Sequence, residues 1–446
     1  MQRILLALIA TVLNLGIAAE TVDNCRAGQL ASRIGDHSIT ALDVSGHIDA
    51  RDFRFIADSL RQLSTLDLRQ AVVDAYHGTT LFANVSDYAA NTVPCQSLAS
   101  MQELQSLWLP RTVTHLGEGC LAGCPKLNDL VLPWRLTHIG DYALSGCERL
   151  VELGVPQSLT HIGDGALMGC TALERIAMLE PNAEDTVTVT PSPLHIGTRA
   201  FANCQSLTMV SLGTMWHDVD AEAFTETGLK QLNLGDQSLL TELPDWSLSN
   251  TPLTSLTLPN SLQRVGEGSL MNVEGIAQLT LPAQVSYIGS YAMAYTTGLK
   301  QLTSQPTRVP ALGDSVWYGI DQSKVLLKVD AGSLTDYRNA AQWCNFMTSN
   351  PLRGDVNGDG RVDIIDINIL INIMLGRDQA DKYDGRAYIN DDQVVDIIDI
   401  NAEINIMLAR LRALRQAAEE AARLRAQGQQ TATQPPAATP PSLRMR

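Results

Sequence analysis

The sequence repeats itself at a step of 23 residues between positions 104 and 178. Each copy opens with apolar residues at its first, fourth and sixth places, and the first three copies add a proline. A fixed period in the range of about 20 to 50 residues is typical of stacked repeat units, so the chain is predicted to form a solenoid. The copies open with Leu104, Leu107, Leu109 and Pro110; Leu127, Leu130, Leu132 and Pro133; Leu150, Leu153, Val155 and Pro156; and Leu173, Ile176 and Met178.

This spacing predicts a short strand in each copy, because the last two apolar side chains lie on one face of an extended segment. A single unit cannot bury that face. Units stacked about 4.8 Å apart would form a parallel sheet and a continuous core. The copies agree again downstream at Thr114-His115-Leu116-Gly117, Thr137-His138-Ile139-Gly140 and Thr160-His161-Ile162-Gly163, and at Gly123-Cys124, Gly146-Cys147 and Gly169-Cys170.

The unit resembles that of the BspA-like bacterial leucine-rich repeats, which reads L-x-x-I-x-L-P, then I-G, then A-F-x-x-C. Ile139-Gly140, Ala143-Leu144 and Cys147 carry this likeness. The resemblance implies the α/β class, as a leucine-rich-repeat solenoid with a parallel β-sheet. Residues 20–103 are predicted to be an N-terminal cap with degenerate repeats, and residues 104–349 the solenoid with its C-terminal cap. Later copies open at Leu207, Leu229, Leu253, Ile276 and Leu299.

The N-terminal segment, residues 1–19, has the features of a secretory signal peptide. Arg3 precedes an apolar run from Ile4 to Leu15, and small residues lead to Ala18 and Ala19. The run is too short to span a bilayer, although a buried N-terminal helix is an alternative. We therefore expect a bacterial protein that is secreted or held at the cell surface, with no transmembrane segment after signal removal.

Composition narrows the partners of the chain. Its formal net charge is −16 and its pI is near 4.9, which argues against a nucleic-acid-binding surface, because phosphate contacts require clustered Lys and Arg.

Eight cysteines in an exported protein first suggest disulfides. Cys124, Cys147, Cys170 and Cys204 occupy one place of the repeat, however, which predicts a column of buried thiols. Cys25, Cys95 and Cys344 lie outside that column, and a Cys25–Cys95 bridge is a possibility.

Two outward columns are candidate binding surfaces. On the strand face, Trp108 and Trp134 are predicted anchors for a protein or glycan ligand, although Trp108 could instead pack under the N-terminal cap. A second column contains His115, His138, His161 and His195, with imidazoles about 5 Å apart if the units stack in register. Such a column could bind a transition metal or respond to pH, whereas a solvated face is the simpler interpretation.

The segment from Asp355 to Asp366 has the spacing of a calcium-binding loop, with oxygen-bearing residues at places 1, 3, 5, 9 and 12 and Gly360 at place 6. An acidic surface turn is the alternative. The predicted Ca²⁺ ligands are the side chains of Asp355, Asn357 and Asp359, the carbonyl of Arg361, Asp363 directly or through a water, and the carboxylate of Asp366.

The loop and the helix after it recur 33 residues later, since Val362 to Asn368 matches Val395 to Asn401. A duplicated loop-helix with Asp at place 12 resembles a dockerin, a small all-α, paired EF-hand-like module that binds calcium and docks to cohesin domains. The likeness covers residues 354–408. The second loop departs from the pattern at Tyr388 and Gln393. It keeps Asn390, Asp392, Asp396 and Asp399, and is expected to bind calcium more weakly or not at all.

The helices carry more apolar positions than their own pairing needs. Ile364, Ile367, Ile371 and Met374 form one predicted stripe, and Ile365, Ile369 and Ile373 form another. The dockerin resemblance implies that Ile364, Ile365, Ile397 and Ile398 contact a cohesin-like partner. The alternative is that both stripes pack on the repeats.

Two function classes follow. The first is a non-catalytic binding or adhesion protein attached through the dockerin. The second is an accessory or enzymatic component of a polysaccharide-degrading, glycoside hydrolase complex. The sequence contains no G-x-S-x-G, H-E-x-x-H or phosphate-loop motif, which favours the non-enzymatic class. Residues 409–446 are predicted to be a basic helix followed by a disordered tail.

Overall fold

The computed structural model describes residues 18–82, 85–179, 193–212, 216–235, 238–330, 332–348, 354–357, 362–383, 387, 395–409, 412 and 415. The predicted signal peptide up to residue 17, the residues 180–192 between two repeats, and most of residues 409–446 lie outside this part of the chain. Contact clustering separates two compact units. The first comprises Met1–Pro306 and Pro310–Asp321, and the second comprises Thr307–Val309 and Gln322–Arg446.

One ladder of parallel strands follows the apolar triplets, as the period predicts. Its sheets have the orders β1-β2-β3-β7-β9, β11-β13-β15 and β17-β19, and β21 pairs with β23. The inward residues, such as Leu107, Leu130 and Leu153, are buried. The strands are β1 (Ala19–Cys25), β2 (Ala41–Ile48), β3 (Thr65–Val73), β7 (Ser106–Trp108), β9 (Asp129–Val131), β11 (Glu152–Val155), β13 (Arg175–Met178), β15 (Met209–Ser211), β17 (Gln231–Asn233), β19 (Ser255–Thr257), β21 (Gln278–Leu281) and β23 (Gln301–Ser304).

A second parallel ladder follows the Thr-His-apolar-Gly motif, with sheet orders β16-β14-β12-β10-β8-β6 and β18-β20-β22-β24. Its strands are two to four residues long. Most of them end directly before a glycine of the repeat, whereas β6 and β18 end before a proline and β16 ends before Asp220. The strands are β6 (Thr92–Val93), β8 (His115–Leu116), β10 (His138–Ile139), β12 (His161–Ile162), β14 (Leu194–Ile196), β16 (Trp216–Val219), β18 (Glu242–Leu243), β20 (Arg264–Val265), β22 (Tyr287–Ile288) and β24 (Ala311–Leu312).

The N-terminal region adds helices to the first ladder. The helix Ala50–Ser59 begins with a capping box between Asp49 and Asp52, and it buries Phe53 and Ile56. A short helix, Leu30–Arg33, precedes it, and β4 (Tyr76–Phe82) pairs antiparallel with β5 (Val85–Tyr88). Asp52 also accepts the backbone N–H groups of Gly28 and Leu30, so one buried carboxylate joins both helices.

The cysteine column is confirmed. Cys124, Cys147, Cys170 and Cys204 are fully buried, and each thiol donates to a leucine carbonyl one coil earlier at 3.2–3.4 Å. Burial raises the pKa of Cys124 to about 11 and raises that of Cys147 further, so these thiols stay protonated. The possible Cys25–Cys95 bridge is not formed, because both residues are free thiols.

In the second unit, β25 (Leu326–Lys328) pairs in parallel with β26 (Met347–Thr348). The helix Leu334–Asn339 and the 3-10 turns Gln322–Lys324, Trp343–Asn345 and Ala380–Tyr383 complete the short elements. The first C-terminal helix is Ile364–Met374, and residues 397–409 form the second C-terminal helix. No helix among the described residues is long and apolar enough to cross a membrane.

Candidate functional sites

The outward face of the first ladder is a continuous column, in the register that the repeat predicts. Trp108 lies opposite Val131, Gly154 opposite Ala177, and Thr280 opposite Thr303. The column therefore changes from apolar to hydroxyl-bearing along its length. At the hydroxyl-bearing end, the face has a surface groove of about 590 Å³, lined by residues that include Ser255, Thr257, Gln278, Thr280 and Gln301.

The two predicted tryptophan anchors are both partly exposed. The Arg69 guanidinium lies 5.2 Å from the centre of the Trp108 ring, while Arg69 also forms an ion pair with Asp67. Asp67 is the strand neighbour of Trp108, so the ring adjoins the N-terminal region on one side. Next to it, Val131 is 45% exposed. Trp108 therefore packs beside Arg69 of the N-terminal region and retains an exposed part.

The histidine column forms a ladder of stacked rings. The imidazole centroids of His115 and His138 are 4.4 Å apart, as are those of His138 and His161, with interplanar angles of 13° and 7°. The fourth ring, His195, is 5.8 Å from His161 and tilted by 53°. Burial, followed by the flanking His115 and His161, lowers the pKa of His138. The register of this predicted column is confirmed.

Threonine hydroxyls fix the proton positions in the first three rings. The Thr137 hydroxyl donates to the Thr114 carbonyl at 3.0 Å and lies 2.8 Å from Nδ1 of His138. Since the hydroxyl has only one proton, Nδ1 of His138 must donate to it, and the lone pair of the neutral ring stays on Nε2. The same arrangement recurs at Thr114 with His115 and at Thr160 with His161.

His195 has acidic neighbours instead. Its Nδ1 lies 3.1 Å from the carboxylate of Asp218, and its Nε2 lies 3.6 Å from that of Asp220. Burial raises the pKa of Asp220, and the nearby charges of Asp218 and Asp164 add to this effect, while His195 opposes it. Asp218 and Asp220 were not predicted as functional residues, although the change from His-Ile-Gly to Asp-Val-Asp at this point of the repeat is visible in the sequence.

The duplicated loops share one local geometry. In the first, Oδ1 of Asp363 accepts the N–H of Ile365, and Oδ2 of Asp366 accepts the N–H of Asp363. Asp396 and Asp399 make the corresponding hydrogen bonds in the second. Of the predicted ligands, Asp355, Asp366 and Asp399 are buried, and Asn357, Asp363 and Asp396 are half-buried. The others, Asp359, Arg361, Asn390 and Asp392, lie outside the described residues.

A buried acid that the sequence reasoning missed lies beside the first loop. Glu403, on the second C-terminal helix, is 0% exposed, and neither of its carboxylate oxygens has a hydrogen-bond partner among the described residues. A Cβ atom built at Gly354 would lie 2.5 Å from its Oε2. Burial, with added repulsion from Asp366 and Asp355, raises the pKa of Glu403 to about 8. One feature of the sequence could have revealed it: in the duplicated loop-helix unit, Glu403 occupies the place that the apolar Leu370 has in the first copy.

The two C-terminal helices have a small shared core of Val356, Ile367, Leu370, Ala387 and Ile400. Neither of the two predicted apolar stripes forms the core as a whole. Ile367 is buried, but Ile364 and Met374 are exposed, because Leu370 takes the core position. The four isoleucines predicted to bind a partner are all half-exposed or more: Ile364 58%, Ile365 50%, Ile397 56% and Ile398 55%.

Two stacked parallel ladders joined by tight turns, with a leucine core between them, define a leucine-rich-repeat solenoid. The chain belongs to the family described as BspA type leucine rich repeat region, whose model matches residues 88–185 and 194–322 in six copies. No curated protein gives a significant match.

Solved structures resemble the chain at low identity. A leucine-rich repeat protein from Bacteroides ovatus is 16% identical, with 62% of this chain and 92% of that chain covered and a TM-score of 0.25. A leucine rich cell surface protein from Faecalibacterium prausnitzii is 12% identical, with 70% and 83% covered and a TM-score of 0.26. The pneumococcal vaccine antigen PcpA is 14% identical, with 76% and 89% covered and a TM-score of 0.29.

Proposed function

We propose that this chain is a secreted or surface-held, non-catalytic binding protein of bacteria. Its repeat face recognises a protein or glycan, and its C-terminal helices attach it to a cohesin-like partner in a calcium-dependent way. The observation that carries the attachment half is the group of four isoleucines at equivalent places of a duplicated unit, all facing solvent. Aliphatic side chains exposed in symmetric pairs are typical of a docking surface rather than of a solvated helix.

The repeat face supports recognition because it offers two kinds of contact on one surface. Trp108 and Val131 provide an apolar patch, and the groove near Thr257 and Thr280 provides hydroxyl and amide groups. An aromatic anchor beside hydrogen-bonding groups suits a glycan or an extended peptide.

Calcium is proposed as the ion of the first loop because the residues fit it. Asp355, Asp366 and Glu403 bring three carboxyl groups together in a buried place, and an uncompensated buried carboxylate is costly. Ca²⁺ prefers six to eight oxygen ligands, and carboxylates are its usual protein ligands. When bound, the ion would neutralise these acids and hold the loop against the second C-terminal helix through Glu403. Asp363 and Asn357 would complete the set of described ligands.

The attachment proposal is tested by measuring the binding of the full chain to a panel of purified cohesin domains. Each measurement is made once with Ca²⁺ and once with a chelator, at about 1 mM. We expect binding in Ca²⁺ that is lost in chelator. Ile364→Asp with Ile397→Asp should weaken binding by about 100-fold or more, since hot-spot residues each contribute about 2 kcal/mol. Leu375→Asp is the matched control, because Leu375 is 52% exposed but lies outside the proposed contact.

Failure of every cohesin to bind the calcium-loaded chain would overturn the docking proposal. Equal binding by the isoleucine variant and the control would reject the surface assigned to it. The repeat face is examined separately by glycan arrays and peptide libraries, with Trp108→Ala and Thr280→Ala compared against Val151→Ala.

A further inference from the structure

The second ladder departs from its repeat at two places in one coil. Four consecutive copies read His, apolar residue, Gly, ending with His195-Ile196-Gly197, and the next coil reads Asp218-Val219-Asp220. Val219 keeps the inward place and is buried. Because side chains alternate along a strand, both aspartates therefore lie on the outer side, where the column of imidazoles ends.

A bulge places the first of these aspartates opposite His195. In the pairing of β14 with β16, Leu194 lies opposite Trp216 but His195 lies opposite Asp218, so β16 contains one additional residue, His217. Bulges commonly redirect a side chain at a functional position. The second aspartate is held by its backbone, since the N–H of Asp220 donates to the Ile196 carbonyl at 2.8 Å.

His195 itself differs from the three rings before it. Leu194 precedes it, so it lacks the threonine hydroxyl that holds Nδ1 of the other three, and its ring is turned out of the stack by 53°. Both of its nitrogens face carboxylates, at 3.1 Å and 3.6 Å. Two acids on one imidazole leave more negative charge than a protonated ring could balance.

We propose that His195, Asp218 and Asp220 form a binding site for one divalent first-row transition-metal ion, with Zn²⁺ as the representative. One ligand atom from each residue lies within 4.8 Å of the other two. Zn–N and Zn–O distances are about 2.0–2.2 Å, so rotation of the two carboxylates completes the approach. Asp218 is 60% exposed and Asp220 41% exposed, which leaves room for that rotation.

The chemistry of the site selects the metal. An imidazole ligand favours zinc, copper, nickel or iron over Ca²⁺ and Mg²⁺, which prefer oxygen alone. Three protein ligands also leave a tetrahedral ion one open position, which water or a donor atom of a bound molecule can fill. The site is independent of the calcium proposal, since it lies in the other compact unit and uses no residue of the C-terminal loops.

The rest of the ladder supplies a matched control. The rings of His115, His138 and His161 are stacked nearly parallel, so the lone pairs on their Nε2 atoms point in parallel directions and do not converge on one ion. His115 ends the same column at the opposite side, next to Thr92 rather than an acid. His115→Gln therefore removes a ladder histidine without touching the proposed site.

The test is Zn²⁺ titration of the full chain by calorimetry in excess Ca²⁺, which competes for oxygen-only ligands such as the C-terminal acids. Co²⁺ is titrated in parallel, because its absorption spectrum reports the coordination geometry. We expect one Zn²⁺ site that His195→Gln weakens by more than about 100-fold, with Asp218→Asn and Asp220→Asn each weakening it by about 10-fold or more. Circular dichroism of the metal-free variants confirms that each is folded.

Three results would overturn the proposal. The first is the absence of a Zn²⁺ site in the unmodified chain. The second is a site that survives in His195→Gln. The third is a site that His115→Gln weakens as strongly as His195→Gln does, because the stacked column as a whole would then be responsible.

Discussion

The repeat unit and the pair of C-terminal helices each bury little surface of their own, and they differ in what their buried groups contact. In the repeats, each coil buries leucines against the next, and its polar groups bond to equivalent groups one coil away, as Thr137 does to Thr114. In the helix pair, five residues form the core, and four carboxyl groups are also buried, those of Asp355, Asp366, Asp399 and Glu403. The repeats therefore depend on register, whereas the helices hold buried acids whose charge the proposed Ca²⁺ would compensate.

The largest effect that would sharpen this comparison is calcium removal. We expect chelation to abolish amide protection in the helix Ile364–Met374 and to leave β10 and β12 protected. Calcium binding as proposed would add about 2.7 kcal/mol of stability at a concentration 100 times the Kd, which is a large part of the stability of so small a core. Hydrogen exchange of the full chain measures both regions at once. If the amide protection of Ile364–Met374 is the same with and without chelator, the helices do not need calcium, and the proposed difference between the two regions is wrong.

The second effect is specific to the repeats. Leu153→Ala removes a side chain buried in the centre of the first ladder and should lower the free energy of unfolding of the repeats by about 2–5 kcal/mol. Val151→Ala changes a neighbouring residue that is 45% exposed, and should shift it by at most about 0.5 kcal/mol. Denaturant unfolding followed by circular dichroism compares the two. Similar losses from both variants would show that the ladder core is not what stabilises the coils.

The third effect concerns the thiol column. Cys147→Ala should cost about 1–2 kcal/mol, since it opens a small cavity and removes the contact with the Leu121 carbonyl. Cys344→Ala, at a half-exposed position, is the control and should cost less. Labelling with a thiol reagent should modify Cys95 and Cys344 in the folded chain, and the other thiols only after denaturation. Rapid labelling of Cys147 in the folded chain would disprove the buried column.

The smallest effect is a pH dependence of the repeats. Because the pKa of His138 is lowered in the folded chain, the unfolded chain binds more protons just below pH 6.5. The stability is therefore complete above pH 6.5 and declines as the pH falls through the folded-state value. His138→Gln should reduce this decline in Tm by on the order of 1 °C, and His37→Gln should not. An unchanged decline in His138→Gln would assign it to other groups.

The sequence predicted the repeats well because each coil restates the same constraint. A period of 23 residues fixed the strands, their register and the inward faces, and the His115 to His195 column follows from it directly. Departures from the period were harder to read. The bulge before Asp218 shifts β16 by one residue relative to β14. No local sequence pattern predicts that this shift places Asp218 opposite His195.

The C-terminal helices were predicted less completely for a different physical reason. Two copies give little constraint, and an apolar run such as Ile364 to Met374 has a candidate for the core at nearly every position. Only packing shows that Leu370 and Ile367 face inward while Ile364 remains outside. Glu403 was missed because a single acid in a helix normally lies on the surface, and its burial depends on Gly354 leaving it space.

The constant pairing between coils also bears on how such a chain changes length over generations. The N–H of His138 reaches the Thr114 carbonyl at 3.2 Å, and that of His161 reaches the Thr137 carbonyl at 3.1 Å. Deleting one whole period between two such equivalent points would rejoin matching partners. Unequal recombination within the gene can therefore shorten or extend this protein by complete turns, so that its reach is adjustable while its cross-section stays the same.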